Sequence, residues 1–157
     1  MEPSKSRTSP ASCRGKRRIL ESEGSAPSCE PAKRRILLAE DDTDMRDLLT
    51  WALLEQGYDV VGVGSGKELR FRLVGHFLDP PSHRFDLVLS DLRMPDTTGS
   101  EVIRDLQEFA GLPPTILMTA FGDEEIHREA ERLGVLLLDK PFELDELLSH
   151  VRRLLAT

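Results

Sequence analysis

Short apolar runs alternate with longer amphipathic segments along residues 35–157 of the chain. Each run has the length of a buried strand, and each segment places apolar residues three and four positions apart, as a helix with one buried face does. In the first segment these residues are Met45, Leu48, Leu49, Ala52 and Leu53. The pattern predicts strands at 36–39, 59–63, 87–90, 115–118 and 135–138. It predicts helices at 43–56, 67–77, 100–109, 123–133 and 143–155.

Turn-forming residues support the boundaries of these elements. Gly57 is predicted to cap the end of the first helix, and Gly134 the end of the fourth. The prolines within segment 78–84 predict a loop. Strand–helix repeats with short apolar strands indicate a doubly wound α/β domain, in which helices cover both faces of a parallel sheet. Ligands of such domains bind outside the carboxyl ends of the strands.

The charge of the chain is divided unequally between two segments. The 157 residues carry 21 basic and 28 acidic side chains, and the net charge of −7 argues against nucleic-acid binding over the whole surface. Residues 1–35 have a net charge of +5, and residues 36–157 a net charge of −12. Segment 1–34 is rich in Ser and Pro and has few large apolar residues, so we predict a disordered basic tail before one folded domain at 35–157.

Bulk features exclude several classes of protein. No apolar run is long enough to cross a membrane, and the N-terminus lacks the apolar stretch of a signal peptide. Both cysteines, Cys13 and Cys29, lie in the basic tail, so we expect no disulfide framework and a reducing, cytoplasmic location. The histidines lack the ligand spacing of a zinc site.

Residues whose side chains can bind ions or take part in chemistry follow directly after four of the predicted strands. They are Glu40 and Asp41 after the first strand, Asp91 after the third, Thr119 after the fourth and Lys140 after the fifth. The carboxyl ends of parallel strands share one edge of the sheet, so these side chains are expected to form one pocket. Clustered carboxylates suit Mg²⁺, and a nearby lysine and hydroxyl suit a phosphoryl group in transfer.

Four sequence motifs, in order, are similar to those of a known family. They are LLAEDD at 37–42, LVLSDLRMPDTTG at 87–99, LMTA at 117–120 and DKPF at 139–142. With them, residues 35–156 resemble the receiver domain of two-component response regulators. The resemblance implies a flavodoxin-like (βα)5 fold with a five-stranded parallel sheet in the order 2-1-3-4-5.

The resemblance also implies which residues perform the chemistry. Asp91 would be the phospho-acceptor, which takes its phosphoryl group from a phosphohistidine on a sensor histidine kinase. Glu40, Asp41, Asp91 and the backbone carbonyl of Arg93 would hold the Mg²⁺ ion. Apart from catalysing its own phosphorylation and dephosphorylation, the protein would not be an enzyme.

Further positions in the family's pattern concern the response to phosphorylation. By resemblance, Lys140 pairs with Asp91 and then with the phosphate, Thr119 contacts a phosphoryl oxygen and moves inward, and the peptide bond before Pro141 is cis. The family's aromatic switch residue is replaced here by Leu137, so this half of the switch is altered. The implied output surface comprises the fourth helix, the fifth strand and the fifth helix, and would dock an unknown output protein. A homodimer of the chain is a separate expectation. With no output module after residue 155, we expect a stand-alone receiver.

Three alternatives stay open at this point. A pseudo-receiver would keep the fold and act without phosphorylation, which Leu137 favours. A Mg²⁺-dependent phosphatase would use an aspartate nucleophile, but such enzymes usually have a second acid two residues later, where this chain has Arg93. A nucleic-acid or membrane role of the basic tail is the third alternative, and a solvated disordered segment is the preferred interpretation of that tail.

Overall fold

A computed structural model describes residues 31–156 of the chain. The strands are β1 (Arg35–Ala39), β2 (Asp59–Val63), β3 (Leu87–Asp91), β4 (Thr115–Thr119) and β5 (Leu136–Asp139). The helices are α1 (Thr43–Glu55), α2 (Gly66–Leu78), α3 (Gly99–Leu106), α4 (Glu124–Leu133) and α5 (Leu144–Leu155). We predicted a disordered tail at 1–34. Residues 1–30 of this segment, which include Cys13 and Cys29, lie outside the described residues.

All five strands are parallel and lie in the order β2-β1-β3-β4-β5, which confirms the predicted fold. Apolar residues of β1, β3 and β4 are buried on both faces of the sheet, as expected for a parallel sheet that helices cover on both sides. One face packs against α1 and α5, and the opposite face packs against α2 and α3. No helix among residues 31–156 has the length and apolarity needed to span a bilayer.

Side-chain caps explain where most of the helices begin. The side chains of Asp42, Ser65 and Asp123 accept hydrogen bonds from backbone N–H groups in the first turns of α1, α2 and α4. Thr98 and Glu101 form a reciprocal capping box at the start of α3. These caps satisfy N–H groups that have no partner within the helix, so they define the helix starts next to the carboxyl edge of the sheet.

The predicted loop 78–84 contains a short 3-10 turn at Pro81–His83. Two predicted boundaries were wrong in detail. Helix α3 ends at Leu106 and not at residue 109, because Gly111 (φ +94°) and the two prolines that follow reverse the chain before β4. The C-cap of α1 is Gln56, and Gly57 follows it in the left-handed conformation (φ +88°).

Candidate functional site

Three carboxylates converge at the carboxyl edge of the sheet. Glu40 and Asp41 follow β1, and Asp91 is the last residue of β3. Because β1 and β3 are neighbours, with Ala39 opposite Ser90, the chain brings residues about fifty positions apart in sequence side by side. One carboxylate oxygen from each of Glu40, Asp41 and Asp91 lies within 4.8 Å of the others. The topology of the sheet therefore creates the acidic cluster that the sequence predicts.

Glu40 is the most deeply buried acid of this cluster, with 1% of its surface exposed. Its Oε2 accepts a hydrogen bond from Lys140 Nζ at 3.0 Å, and its Oε1 accepts one from the backbone N–H of Asp42 at 3.2 Å. Burial, followed by the charge of Asp91, raises the pKa of Glu40 to about 7, against the opposing effect of Lys140. Water therefore solvates the charge of Glu40 poorly, whereas Asp41 is exposed at the rim of the cluster.

Lys140 is the cation of the pocket. Its Nζ lies 3.0 Å from Glu40 Oε2 and 3.5 Å from Asp91 Oδ2, so one ammonium bridges the acids that follow β1 and β3. The backbone N–H of Lys140 donates to the carbonyl of Thr119 at 2.7 Å, and the Lys140–Pro141 peptide bond is cis. Burial alone lowers the pKa of Lys140, but the hydrogen bond with Glu40 and the charges of Asp91 and Glu40 outweigh burial and raise it.

Thr119 lies at the end of β4 and is almost fully buried. Its Oγ1 accepts a hydrogen bond from the backbone N–H of Phe121 at 3.1 Å, so the hydroxyl is held against the loop that leads into α4. That bond occupies the hydroxyl as an acceptor and leaves its O–H group available as a donor. The ring of Phe121 in turn lies 5.3 Å from the Arg93 guanidinium.

The loop after Asp91 is held closely against the sheet. Arg93 pairs with Thr98 in an isolated antiparallel bridge, and the N–H of Gly99 donates to the Leu92 carbonyl at 2.8 Å. A Cβ at Gly99 would lie 2.7 Å from the Asp91 carbonyl oxygen, so only glycine fits at this start of α3. The bridge and the hydrogen bond between Gly99 and Leu92 therefore hold the segment between Asp91 and α3 in a defined turn.

Sequence reasoning missed Asp96, at the tip of this loop. Its carboxylate accepts hydrogen bonds from the backbone N–H groups of Gly66 and Lys67, both at 2.8 Å, and so connects the loop to the start of α2. Desolvation acts to raise the pKa of Asp96, but the backbone hydrogen bonds together outweigh it and lower the pKa. A Cβ at Gly66 would lie 2.0 Å from Thr97 Cγ2, which shows how closely the two segments approach. No local signal could have found this contact, because its partners lie about thirty residues away.

Leu137 takes the position at which the resemblance expects the aromatic switch residue. Leu137 is half-buried on β5, opposite Leu117 of β4, at the outer edge of the sheet. Further along β5, Asp139 lies 3.4 Å from Nε2 of His127 on α4. Leucine therefore fills the place where the resemblance expects an aromatic ring, next to a polar contact between α4 and β5.

Comparisons with known proteins agree with this arrangement. The family model of the response regulator receiver domain matches residues 36–152. The response regulator receiver protein CpdR of Brucella abortus is 33% identical over 128 residues, which cover 78% of this chain and 97% of that protein. The regulatory protein AtoC of Escherichia coli is 33% identical over 125 residues, which cover 79% of this chain and 26% of AtoC.

The chain therefore spans about a quarter of the length of AtoC but nearly all of CpdR. Among solved structures, the non-phosphorylated receiver domain of HemR from Leptospira biflexa superposes with a TM-score of 0.69 at 29% sequence identity, over 80% of this chain and 96% of that one. On the evidence of the fold, the motifs and the family model, the chain belongs to the receiver domain family of two-component response regulators.

Proposed function

We propose that this chain is a phospho-acceptor of a two-component phosphorelay, and that Asp91 receives a phosphoryl group from a sensor histidine kinase. The observation that carries the proposal is the convergence of Glu40, Asp41 and Asp91 with an ammonium that bridges two of them. Three acids against one lysine leave uncompensated negative charge in a partly dry pocket. Such a donor set suits a hard divalent cation and a transferring phosphoryl group.

Mg²⁺ is the cofactor in this proposal. Glu40, Asp41, Asp91 and the backbone carbonyl of Arg93 would hold it, and all four groups are oxygen donors, which this ion prefers. When bound, Mg²⁺ offsets negative charge on the phosphoryl oxygens. The raised pKa of Glu40 supports this assignment, because it marks a carboxylate whose negative charge lacks full compensation from the chain's own groups.

The residues of the chain have separate roles in the transfer. A carboxylate oxygen of Asp91 attacks the phosphorus, the phosphorus–nitrogen bond to the kinase histidine breaks, and its electron pair remains on the imidazole. Lys140, already 3.5 Å from Asp91, pairs with a phosphoryl oxygen. The O–H group of Thr119 donates to another phosphoryl oxygen, for which its present hydrogen bond leaves it available. The protein acts chemically only on itself, so it is a switch and not an enzyme with an external substrate.

The proposal extends to the wider organisation of the protein. Residues 35–157 are the signalling domain, and residues 1–34 are a separate basic segment. The surface formed by α4, β5 and α5 docks the output partner. The cytoplasm is the compartment in which we place this relay, as the cysteine content indicates.

Phosphorylation with a small-molecule donor tests the proposal directly. Full-length protein incubated with acetyl phosphate and Mg²⁺ should gain the mass of one phosphoryl group in an acid-labile form, and EDTA should prevent this gain. Asp91→Asn should abolish the labelling, because an amide cannot form the acyl phosphate. Asp42→Asn is the matched control, since it changes a neighbouring aspartate that only caps α1 and should label normally. Unlabelled wild type under these conditions would exclude the proposal.

A pseudo-receiver is the second candidate, and the leucine at position 137 favours it. The same variants separate the two functions when a partner pull-down replaces the labelling. A phosphorylation switch requires that beryllofluoride, which mimics the phosphoryl group, changes what wild type binds but not what Asp91→Asn binds. Identical binding by both proteins, with and without beryllofluoride, would favour the pseudo-receiver.

A further inference from the structure

The outward face of α2 is apolar, although it points away from the core. Phe71, Val74 and Leu78 are 76%, 42% and 81% exposed, and their spacing of three and four residues places them in one stripe along the helix. The opposite side of α2 packs Leu69 and Leu73 into the core. A surface helix normally presents polar residues outward, so this second apolar stripe is unusual.

Gly75 lies within α2, at the centre of this stripe. A Cβ at this position would meet only Asp79 Oδ2, at the ordinary contact distance of 3.7 Å, so the packing of residues 31–156 does not require glycine here. Glycine within a helix is less stable than alanine. What it provides is a notch in the apolar stripe, into which a second helix can pack at close range.

Two charged residues flank the stripe on one side of α2. Arg72 and Asp79 are seven residues apart, which is close to two turns, so both lie along the same flank of the helix. Neither side chain has an ion-pair partner within residues 31–156. The midpoint between these residues falls next to Gly75, and both line a shallow cavity of about 310 Å³ that runs beside the stripe.

This arrangement is self-complementary. Two copies of α2 can pack antiparallel about a two-fold axis that passes next to Gly75, perpendicular to both helices. The same flank of each helix then lies on the same side of the helix pair. Arg72 of one protomer then meets Asp79 of the other, and the contact occurs twice. Phe71 of each protomer likewise packs towards Leu78 of the other.

The second exposed apolar stripe of the domain lacks this property. It lies on α1 and contains Leu48, Trp51 and Leu54, which are all about half exposed. The flanking charges there are the acids Asp44, Asp47 and Glu55, while the one base of α1, Arg46, donates to the Glu40 carbonyl. A second copy packed on α1 would place acids against acids, so the charge pattern favours α2.

We propose that the outer face of α2 is a homodimer interface, in which two copies of the chain pack antiparallel through Phe71, Val74, Gly75 and Leu78 with reciprocal Arg72–Asp79 ion pairs. The interface lies away from the surface formed by α4, β5 and α5, so dimerisation leaves that surface open for an output partner. The contact does not involve the carboxylate pocket and does not depend on phosphorylation of Asp91.

Sedimentation velocity of the full-length chain over a range of concentrations tests this interface. Wild type should shift from monomer to dimer as concentration rises. Arg72→Asp and Asp79→Arg should each weaken the dimer about tenfold, because each places like charges together twice. The double variant Arg72→Asp/Asp79→Arg should recover the wild-type affinity to within about threefold, since it restores both pairs in reverse.

Two further variants test the apolar part of the interface. Leu78→Ser should remove most of the dimer, whereas Leu54→Ser on α1 is the matched control and should leave it unchanged. Circular dichroism melting shows whether each exposed-site variant still folds. A wild type that stays monomeric up to about 1 mM would overturn the proposal, as would a dimer that none of the α2 variants affects or a failure of the double variant to recover. Binding of a different protein at α2 without self-association would also overturn it.

Discussion

Glu40 and Asp96 are two carboxylates near the same edge of the sheet, and their surroundings shift their pKa values in opposite directions. Glu40 is buried beside Asp91, and its pKa rises to about 7. Asp96 is exposed and accepts hydrogen bonds from the backbone N–H groups of Gly66, Lys67 and Thr97, which lower its pKa. The fold therefore disfavours the charge of one acid and favours the charge of the other.

The difference agrees with the proposed role of Glu40 in cation binding and with a structural role of Asp96. The charge of Glu40 is retained at a cost in stability that a bound cation would offset, which is typical of a functional site. The charge of Asp96 is matched by backbone donors, so this acid stabilises the loop that carries Arg93 whether or not the pocket is filled. Three measurements test the difference between the two acids.

The largest expected effect is on the stability of the metal-free protein. Because the pKa of Glu40 rises from 4.5 to about 7 on folding, its stabilising contribution is complete below pH 4.5 and is lost as the pH rises to about 7. In EDTA above pH 7, we expect Glu40→Gln to exceed wild type in free energy of unfolding by up to about 3 kcal/mol. Near pH 4 the two proteins should be equally stable.

Urea unfolding followed by circular dichroism measures this difference across the pH range. Glu55→Gln is the matched control, because Glu55 is an exposed acid at the end of α1. If the free energies of unfolding of Glu40→Gln and wild type changed in parallel with pH, the charge of Glu40 would not destabilise the folded protein.

A smaller effect is expected on Mg²⁺ affinity when the lysine is removed. Lys140→Ala takes away the one cation within 4 Å of the carboxylate oxygens of Glu40 and Asp91 among the described residues, so the carboxylates should bind Mg²⁺ about tenfold more tightly. Isothermal titration calorimetry measures the change, and Arg132→Ala, an exposed cation of α4, is the control. Unchanged or weaker Mg²⁺ binding by Lys140→Ala would contradict the view that the ammonium neutralises part of the negative charge of the pocket.

The smallest effect is expected at the loop tip. Asp96→Ala should lower the melting temperature, because the N–H groups of Gly66 and Lys67 lose their acceptor. The pKa of Asp96 lies below 3.8, so its contribution is present above that pH and is lost as the pH falls through the lowered value. The melting difference from wild type should therefore shrink in acid, opposite in sign to Glu40→Gln. Asp47→Ala on α1 is the exposed control, and an equal loss there would refute a specific role of Asp96.

Much of the fold followed from local pattern. Buried strands read as apolar runs, and the caps at Asp42 and Asp123 follow from residue types with a known preference for helix starts. The end of α3 did not follow, because helical spacing continues to Phe109 and only the turn at Gly111 shows where the chain leaves the helix. The apolar periodicity shows which residues can form a helix, but the turn that follows determines where the helix ends.

The pocket was predictable in its members but not in its contacts. Glu40, Asp91 and Lys140 stand after strands, and the parallel sheet brings such positions together. The sequence led us to expect Lys140 to pair with Asp91, whereas its nearer partner is Glu40. The two distances differ by half an ångström. Such a difference depends on side-chain packing, which cannot be predicted from the spacing of residues along the chain.

The order of strands and helices and the identity of the residues at the strand ends could be predicted from the sequence, because both depend on local periodicity and on the topology of parallel sheets. The buried side of α2 could not be predicted in this way. Leu69 and Leu73 form one apolar stripe of this helix, and Phe71 and Leu78 lie in another. Both stripes can cover a sheet, and the sheet is in contact with only one of them, so packing chose the core face and left the other exposed.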